Sequence, residues 1–294
     1  MKQLVIISGK GGTGKTILSA SFASLARNKV MVDCDVDAAN LYMLLHPEIQ
    51  ESHEFSGGMK ARIDQNNCSR CGECQDHCRF SAIHEKKDGE FIIDSISCEG
   101  CGVCYHLCPV EAIKMKKSLS GEWFVSRTKY GPFVHARLGI GEENSGKLVT
   151  EVRKKAKELA EKNKLDLVII DGPPGIGCPV IASLSGTHMA LIVTEPTLAG
   201  IHDMERVAQT AHHFKISTAC CINKYDINPE NSAIIENWCQ KNSIPLMGKI
   251  PFDEDVTHSM VNLVPLPEYS NSAASKEIKS IWNNIKKLIV LRGE

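Results

Sequence analysis

The chain has 294 residues, enough for one large domain or two smaller ones. A formal net charge of −1 gives no electrostatic reason to expect nucleic-acid binding or strong attraction to a membrane. Thirteen cysteines without a recognisable leader point to a reducing compartment, so a cytoplasmic protein is expected; no apolar run approaches the roughly 18 residues of a membrane helix. In chain order, residues 3–7 (QLVII) read as a first strand and 16–27 as a helix, with the glycine-rich run Gly9–Thr16 between them. Val30–Asp35 (VMVDCD) is a second short strand ending in carboxylates. From Gly57 to Lys117 the apolar content falls and cysteine recurs every few residues. The stretch Gly121–Lys147 reads as short strands and loops, followed by a helix over about 145–163 with Leu148, Val152, Ala156 and Leu159 at helical spacing. LDLVIIDGPPG, MALIVTEP and STACCINKYD are apolar core strands ending in polar groups. The predicted architecture is α/β: a doubly wound, mostly parallel sheet over 1–56 and 118–294, with a small α+β module inserted at 57–117.

The run Gly9-Lys10-Gly11-Gly12-Thr13-Gly14-Lys15-Thr16 is a complete phosphate-binding loop between a predicted strand and a predicted helix. Glycines let backbone N–H groups turn inward around phosphate oxygens, Lys15 reaches the β/γ-phosphates, and Thr16 offers its hydroxyl to Mg²⁺. The inserted segment carries Cys68, Cys71, Cys74 and Cys78, then Cys98, Cys101, Cys104 and Cys108, both spaced C-x2-C-x2-C-x3-C, with Pro109 after the second run. That is the bacterial ferredoxin spacing, in which three cysteines hold one cubane and the fourth reaches across to the other. It predicts one [4Fe–4S] cluster on Cys68, Cys71, Cys74 and Cys108 and another on Cys98, Cys101, Cys104 and Cys78. A repeat of 30 residues maps Cys68 onto Cys98 and Ala82-Ile83 onto Ala112-Ile113. Arg79 stands where the ferredoxin pattern usually has proline. Zinc is the competing reading of eight cysteines, since C-x2-C pairs also build tetrahedral sites.

Lys10, directly after the first glycine, makes GKGGTGKT resemble the deviant loop of the MinD/ParA superfamily, to which the nitrogenase iron protein and Mrp-type cluster carriers belong. DCDVDAANL, HARLGIGEENSGKLV, DGPPGIGCPV and TEPTLAGIHD extend the resemblance over most of the chain, to the MinD-type ATPases with an inserted ferredoxin domain. The resemblance implies that Lys10 reaches the partner's nucleotide across a sandwich dimer, a homodimer or a heterodimer with a related chain. It implies that Asp35 orients the attacking water and that Asp37 shares that role or reaches Mg²⁺. Asp171 matches a Walker-B-like second switch touching the Mg²⁺ shell through water. Asn223 and Asp226 stand in an N-K-x-D pattern that reads guanine in GTPases, while in the MinD-like group an asparagine here contacts adenine; ATP is expected, with GTP left open. The bland alternatives are a solvated lysine at Lys10, and strand-end capping at Asp33 and Asp171.

Cys178 lies seven residues after Asp171, the offset of a cluster cysteine in the nitrogenase iron protein. No second cysteine between Lys117 and Lys147 completes such a site, so Cys178 is either near a dimer axis or a packed thiol. Cys34, Cys220, Cys221 and Cys239 read as small core residues. The C-terminal KEIKSIWNNIKKLIV sets Ile278, Ile281, Trp282, Ile285 and Leu288 on one face, suited to packing on the core or, less so, to a membrane. The expected activity is ATP hydrolysis that closes a dimer and gates electron transfer through two [4Fe–4S] clusters to a redox partner. A cluster carrier or assembly scaffold, and a MinD-like positioning ATPase, are the alternatives.

Overall fold

The computed structural model describes residues 1–139, 142 and 145–291, the side chains of Val290 and Leu291 excepted. Ile140, Gly141, Glu143 and Asn144 of the HARLGIGEENSGKLV run lie outside the described residues. The elements in chain order are β1 (Lys2–Ser8), α1 (Lys15–Leu25), β2 (Lys29–Asp33), α2 (Leu41–Leu45), β3 (Glu48–Ile63), α3 (Glu73–Asp76), β4 (Ile83–Glu85), β5 (Phe91–Ile93), α4 (Val103–Leu107), β6 (Ile113–Thr128) and β7 (Gly131–Leu138). They continue as α5 (Ser145–Lys162), β8 (Leu167–Pro174), α6 (Cys178–Leu184), β9 (Met189–Thr194), α7 (Leu198–His213), β10 (Ser217–Asn223), α8 (Pro229–Lys241), β11 (Leu246–Ile250), α9 (Glu254–Val261), α10 (Leu266–Tyr269) and α11 (Ala273–Leu291). They form two compact units, one of Met1–Ser52, Trp123–Arg137 and Ser145 onward, the other of His53–Glu122 and Leu138–Asn144. Strands β3 and β6 carry residues of both.

In the first unit the apolar strands need cover on both faces, because alternate side chains point to opposite sides of a sheet. Leu4 and Ile6 of β1 join Phe22 of α1, Leu41 of α2, Leu266 of α10 and Trp282 of α11 in one cluster. Val5 and Ile7 are equally buried, and α6 and α7 lie against β1. The sheet order is β11-β10-β9-β1-β8-β2-β7-β6-β3, with β1 parallel to both β8 and β9 and β8 parallel to β2. Parallel strands put all their carboxyl ends on one edge; the chain crosses from β1 toward β2 and from β8 in the opposite direction toward β9, so a crevice forms at the switch point where the β1 loop emerges. Between 121 and 147, where short strands and loops are expected, β6 and β7 run long and are joined by the two-residue turn Lys129-Tyr130. Gly131, at φ +114, marks this turn, whereas Gly121 sits inside β6 and breaks nothing.

The apolar face of α11 is spent on the core: Ile278, Ile281, Trp282 and Ile285 are buried, and the Trp282 ring lies 5.0 Å from that of Phe22. A positioning ATPase that binds membrane through this face would have to unpack it. Among the described residues no helix is long and apolar enough to cross a membrane.

The second unit repeats itself. Left-handed backbone occurs at Arg70, Gly72 and Ser81 and again, 30 residues on, at Gly100, Gly102 and Glu111. Gly72 starts α3 and Gly102 starts α4. A side chain at Gly100 would strike the Met59 carbonyl as well as strain its φ of +66. The two halves exchange backbone hydrogen bonds: Asp64 N–H donates to the Ala112 carbonyl at 2.7 Å, and Asp94 N–H to the Ala82 carbonyl at 2.8 Å. Ala82, Ile83, Ala112 and Ile113, the residues that map onto one another, are all buried.

Two outcomes follow from the packing of the first unit. Trp282→Ala should destabilise it by about 3–5 kcal/mol, the cost of emptying a large core site; an unchanged denaturation midpoint would show that α11 is not part of the core. His135 is buried between Phe133 and Phe124, bonds the Ser126 hydroxyl at 3.0 Å, and is pushed down by burial to about 4. The unfolded chain therefore binds a proton that the folded chain refuses between pH about 6.5 and about 4, so stability is lost as pH falls through that window. His135→Gln should remove a pH-dependent contribution on the order of 3 kcal/mol, seen as a flatter plot of unfolding free energy against pH.

Candidate functional site

The glycine-rich loop occupies the turn from β1 into α1 at the carboxyl edge of the sheet. Gly12 and Gly14 adopt φ +77 and +90, open to glycine and strained for other residues. Gly9 is needed for another reason, since a Cβ there would stand 2.3 Å from Asp203 Cβ. The Ser8 hydroxyl donates to the Lys10 carbonyl at 2.6 Å and fixes the loop's first turn. Gly11 is exposed, and Thr13 is buried with a hydroxyl oxygen that has no partner. Thr16 opens α1 behind Lys15, which is itself buried. Two carboxylates oppose it across the site. They are Asp35 and Asp171, both of whose acidities Lys15 opposes burial to preserve.

Asp171 ends the apolar run of β8 beside Asp33 of β2, its partner in register. Burial, with Lys15 opposing it, leaves Asp171 at about 6. Its Oδ1 accepts from the Ser19 hydroxyl at 2.8 Å, and the nearby Thr16 hydroxyl also favours its charged form. Its Oδ2 is buried without a partner. An unpaired carboxylate oxygen next to a threonine hydroxyl, under a loop of inward backbone, is chemically what a hydrated Mg²⁺ and a phosphate chain require. Ser19, one turn beyond Thr16 on the same face of α1, belongs to the site and was not anticipated; its signal was the i, i+3 spacing from Thr16. Gly172 lies where a Cβ would meet Ile7 at 2.7 Å, and Gly175 N–H donates to the Ser8 carbonyl at 2.9 Å, joining the second candidate switch to the loop.

Asp33 holds its own loop, accepting from the backbone N–H of Asp35 at 3.0 Å and of Leu41 at 3.3 Å, the capping role given as its bland alternative. Asp35 is half-buried and pushed up, by burial first and by Asp37 after the opposing effect of Lys15. Asp37 is exposed on the turn that follows. The Asn223 side-chain amide donates to the Thr13 carbonyl at 2.9 Å, bracing the loop from β10. Asp226 accepts from Phe252 N–H at 2.7 Å and so ties the end of β10 to the segment before α9. Lys10 lies in cis against Glu195, 3.3 Å from Oε2, and against the Thr197 hydroxyl at 3.3 Å. The other Glu195 oxygen takes Lys224 at 2.7 Å. Glu195 and Thr197 were visible only as part of TEPTLAGIHD; nothing in the spacing assigned them to Lys10. Cys178 is exposed at the start of α6, against Gly146 of α5.

The cysteines of the second unit sort into two pockets. One is lined by Cys78, Cys98, Cys101 and Cys104, the other by Cys68, Cys71, Cys74 and Cys108. Each pocket thus takes three cysteines of one run and the last of the other. Backbone N–H groups donate to two of the sulfurs, Ala82 to Cys78 at 3.4 Å and Ala112 to Cys108 at 3.2 Å. Burial, then the nearness of Cys104 and Cys68, pushes the Cys74 thiol up to about 11. Among the described residues no three His, Cys, Asp or Glu side chains converge on a point that one metal ion could fill. A single tetrahedral zinc needs four sulfurs within about 2.3 Å of one centre. A cubane shares its ligands among four irons, so its cysteines stand further apart.

Residues 4–266 match the CobQ/CobB/MinD/ParA nucleotide binding domain. An uncharacterized protein of Methanocaldococcus jannaschii is 37 % identical over 290 residues, covering 98 % of this chain and 97 % of its own. The iron–sulfur cluster carrier protein of Pyrococcus horikoshii is 25 % identical over 164 residues, 51 % of this chain and 55 % of its own. The structure of the septum site-determining protein MinD from Pyrococcus horikoshii, complexed with Mg-ADP, superposes with a TM-score of 0.57 at 18 % identity, covering 100 % of this chain and 99 % of that one. With the glycine-rich loop and Asp171 both inside the matched region, the chain belongs to the CobQ/CobB/MinD/ParA nucleotide-binding family and has the fold of its MinD/ParA ATPases.

Proposed function

We propose that this protein binds and hydrolyses ATP in a nucleotide-sandwich dimer, homomeric or with a related chain, and that closure of the dimer gates electron transfer through two [4Fe–4S] clusters to a redox partner. The observation that carries the redox half is the sorting of eight cysteines into two pockets of four, each completed by the last cysteine of the opposite run. That is the crossed ligation of bacterial ferredoxins. When bound, the clusters would supply one-electron storage. Lys15 and the backbone of Gly9, Gly11, Gly12, Thr13 and Gly14 would cradle the phosphates, while Thr16 and Asp171 would hold hydrated Mg²⁺. Asp35, close enough to Lys15 to feel its charge, would orient water. Burial pushes its pKa up against the charge of Lys15, which makes it a stronger base than an exposed carboxylate. Asp37 would assist it, and Asn223 and Asp226 would line the base side.

For Lys10 to reach a partner's nucleotide it must leave Glu195 and Thr197. The cis ion pair is thus the resting position of a residue whose proposed work is in trans. A second reading, an ATP-dependent cluster carrier, draws on the cluster-carrier relatives. Four cysteines per pocket, all within one module, would hold a cluster permanently and favour the redox protein.

Anaerobic EPR of the dithionite-reduced protein, with iron and sulfide counts, tests the proposal. Two interacting [4Fe–4S]⁺ signals that change shape or potential with MgATP are expected, and Lys15→Ala should abolish the change while leaving the iron count intact. Signals indifferent to nucleotide, with iron passing readily to an apo-acceptor, would favour the carrier; zinc without iron would remove both. Glu195→Gln should release Lys10 and tighten the dimer formed with a non-hydrolysable ATP analogue by about tenfold, since partly exposed ion pairs contribute up to roughly 1 kcal/mol each. Sedimentation analysis reads this directly, and an unchanged dimer affinity would mean that Lys10 does not act across the interface.

A further inference from the structure

One face of the second unit carries a groove that the nucleotide chemistry does not use. It has a volume of about 350 Å³ and is lined by residues of β3, β5 and β6, among them Lys60, Arg62, Lys116 and Lys117. Arg62, Lys116 and Lys117 are exposed. Lys60 is committed, to Glu142 at 2.8 Å and to the Ser95 carbonyl. Among the described residues no carboxylate pairs with the other three. Unanswered positive charge concentrated in a concave surface is unusual in a chain of net charge −1, and whole-molecule attraction cannot explain it.

The floor of the groove explains its placement. Ala61 and Ile93 line both the groove and the pocket of Cys78, Cys98, Cys101 and Cys104. Ile63 and Phe91 line both the groove and the pocket of Cys68, Cys71, Cys74 and Cys108. A single layer of apolar side chains therefore separates the basic groove from both cysteine pockets. Such a layer keeps water from the pockets while leaving an occupant of the groove close to each.

We propose that this groove is the docking surface for the redox partner, which presents an acidic segment to Arg62, Lys116 and Lys117. The identity of the occupant as a redox partner rests on the function proposed above; the acidic character of the occupant rests on the groove alone. One electron would pass per encounter, the partner's carrier changing by one and this protein by the opposite one, with no bond made or broken. Charge complementarity of this kind acts mainly on association rate and fades with salt.

Two readouts test it on the whole holoprotein. In the first, a fluorescent decaglutamate peptide is titrated at low and high salt. Wild type should bind it with strong salt dependence, and Arg62→Gln/Lys116→Gln/Lys117→Gln should weaken binding by about tenfold or more. In the second, stopped-flow mixing follows reduction by a prereduced acidic ferredoxin and, separately, by an uncharged deazaflavin radical. The variant should be slowed about tenfold with the ferredoxin only, with iron content and EPR unchanged. Equal peptide binding by variant and wild type, or equal rates with the ferredoxin, would overturn the proposal. A preparation without iron that still loses peptide binding in the variant would leave the acidic-ligand groove standing and remove the redox function instead. The charge reversal Arg62→Glu, an exposed single change, provides a second variant should the triple one misfold.

Discussion

Two carboxylates placed side by side at the buried end of a parallel sheet form the constraint on which the nucleotide site depends. Asp33 and Asp171 are register partners on β2 and β8, and both are almost fully buried. Like charges so placed are disfavoured unless cations and donors answer them. Asp33 is answered by two backbone N–H groups of its own loop, which is why that loop has a fixed course. Asp171 is answered by Lys15, Ser19 and Thr16, all from the loop and first turns of α1. The glycine-rich loop is thus drawn over the sheet edge by the same charge it helps to neutralise. One oxygen of Asp171 is left over, and that remainder is where a divalent cation gains most.

Much of this was legible in the sequence because its signals are local. The strand–loop–helix context of Gly9–Thr16, the carboxylate ending LVIID and the cysteine spacings each lie within a dozen residues, and chemistry fixes them tightly. Helix α11 was legible as amphipathic, but its destination was not, since an apolar stripe looks the same facing a core or a lipid; the packing of Trp282 on Phe22 decides it. The reach of β6 and β7 was missed in a stretch rich in glycine, yet of Gly121 and Gly131 only the second stands at a turn. What the sequence could not carry were long-range pairings: Lys10 with Glu195, Asn223 with the Thr13 carbonyl, Ser19 with Asp171. These depend on which loops the sheet order brings together, and neighbouring strands such as β1 and β8 lie far apart in the chain.

The second unit shows how a repeat in sequence becomes a requirement in structure. Neither half closes its own backbone hydrogen bonds or its own cysteine set. Each pocket needs a sulfur, and each half a carbonyl, from the other. The unit consequently has few ways to fold partially. The left-handed positions recur at the same offset because the same tight turns must deliver the same sulfurs twice.

The divided carboxylate of Glu195 also bears on any twofold assembly of this chain. One of its oxygens holds Lys10 and the other Lys224, so releasing Lys10 does not leave Glu195 bare, and the release is inexpensive. In a symmetric pair both protomers must make it. A penalty of about 0.7 kcal/mol per chain, ordinary for a partly exposed ion pair, then enters the association constant as its square, about tenfold. Assembly would respond quadratically to a change that each isolated chain registers only once.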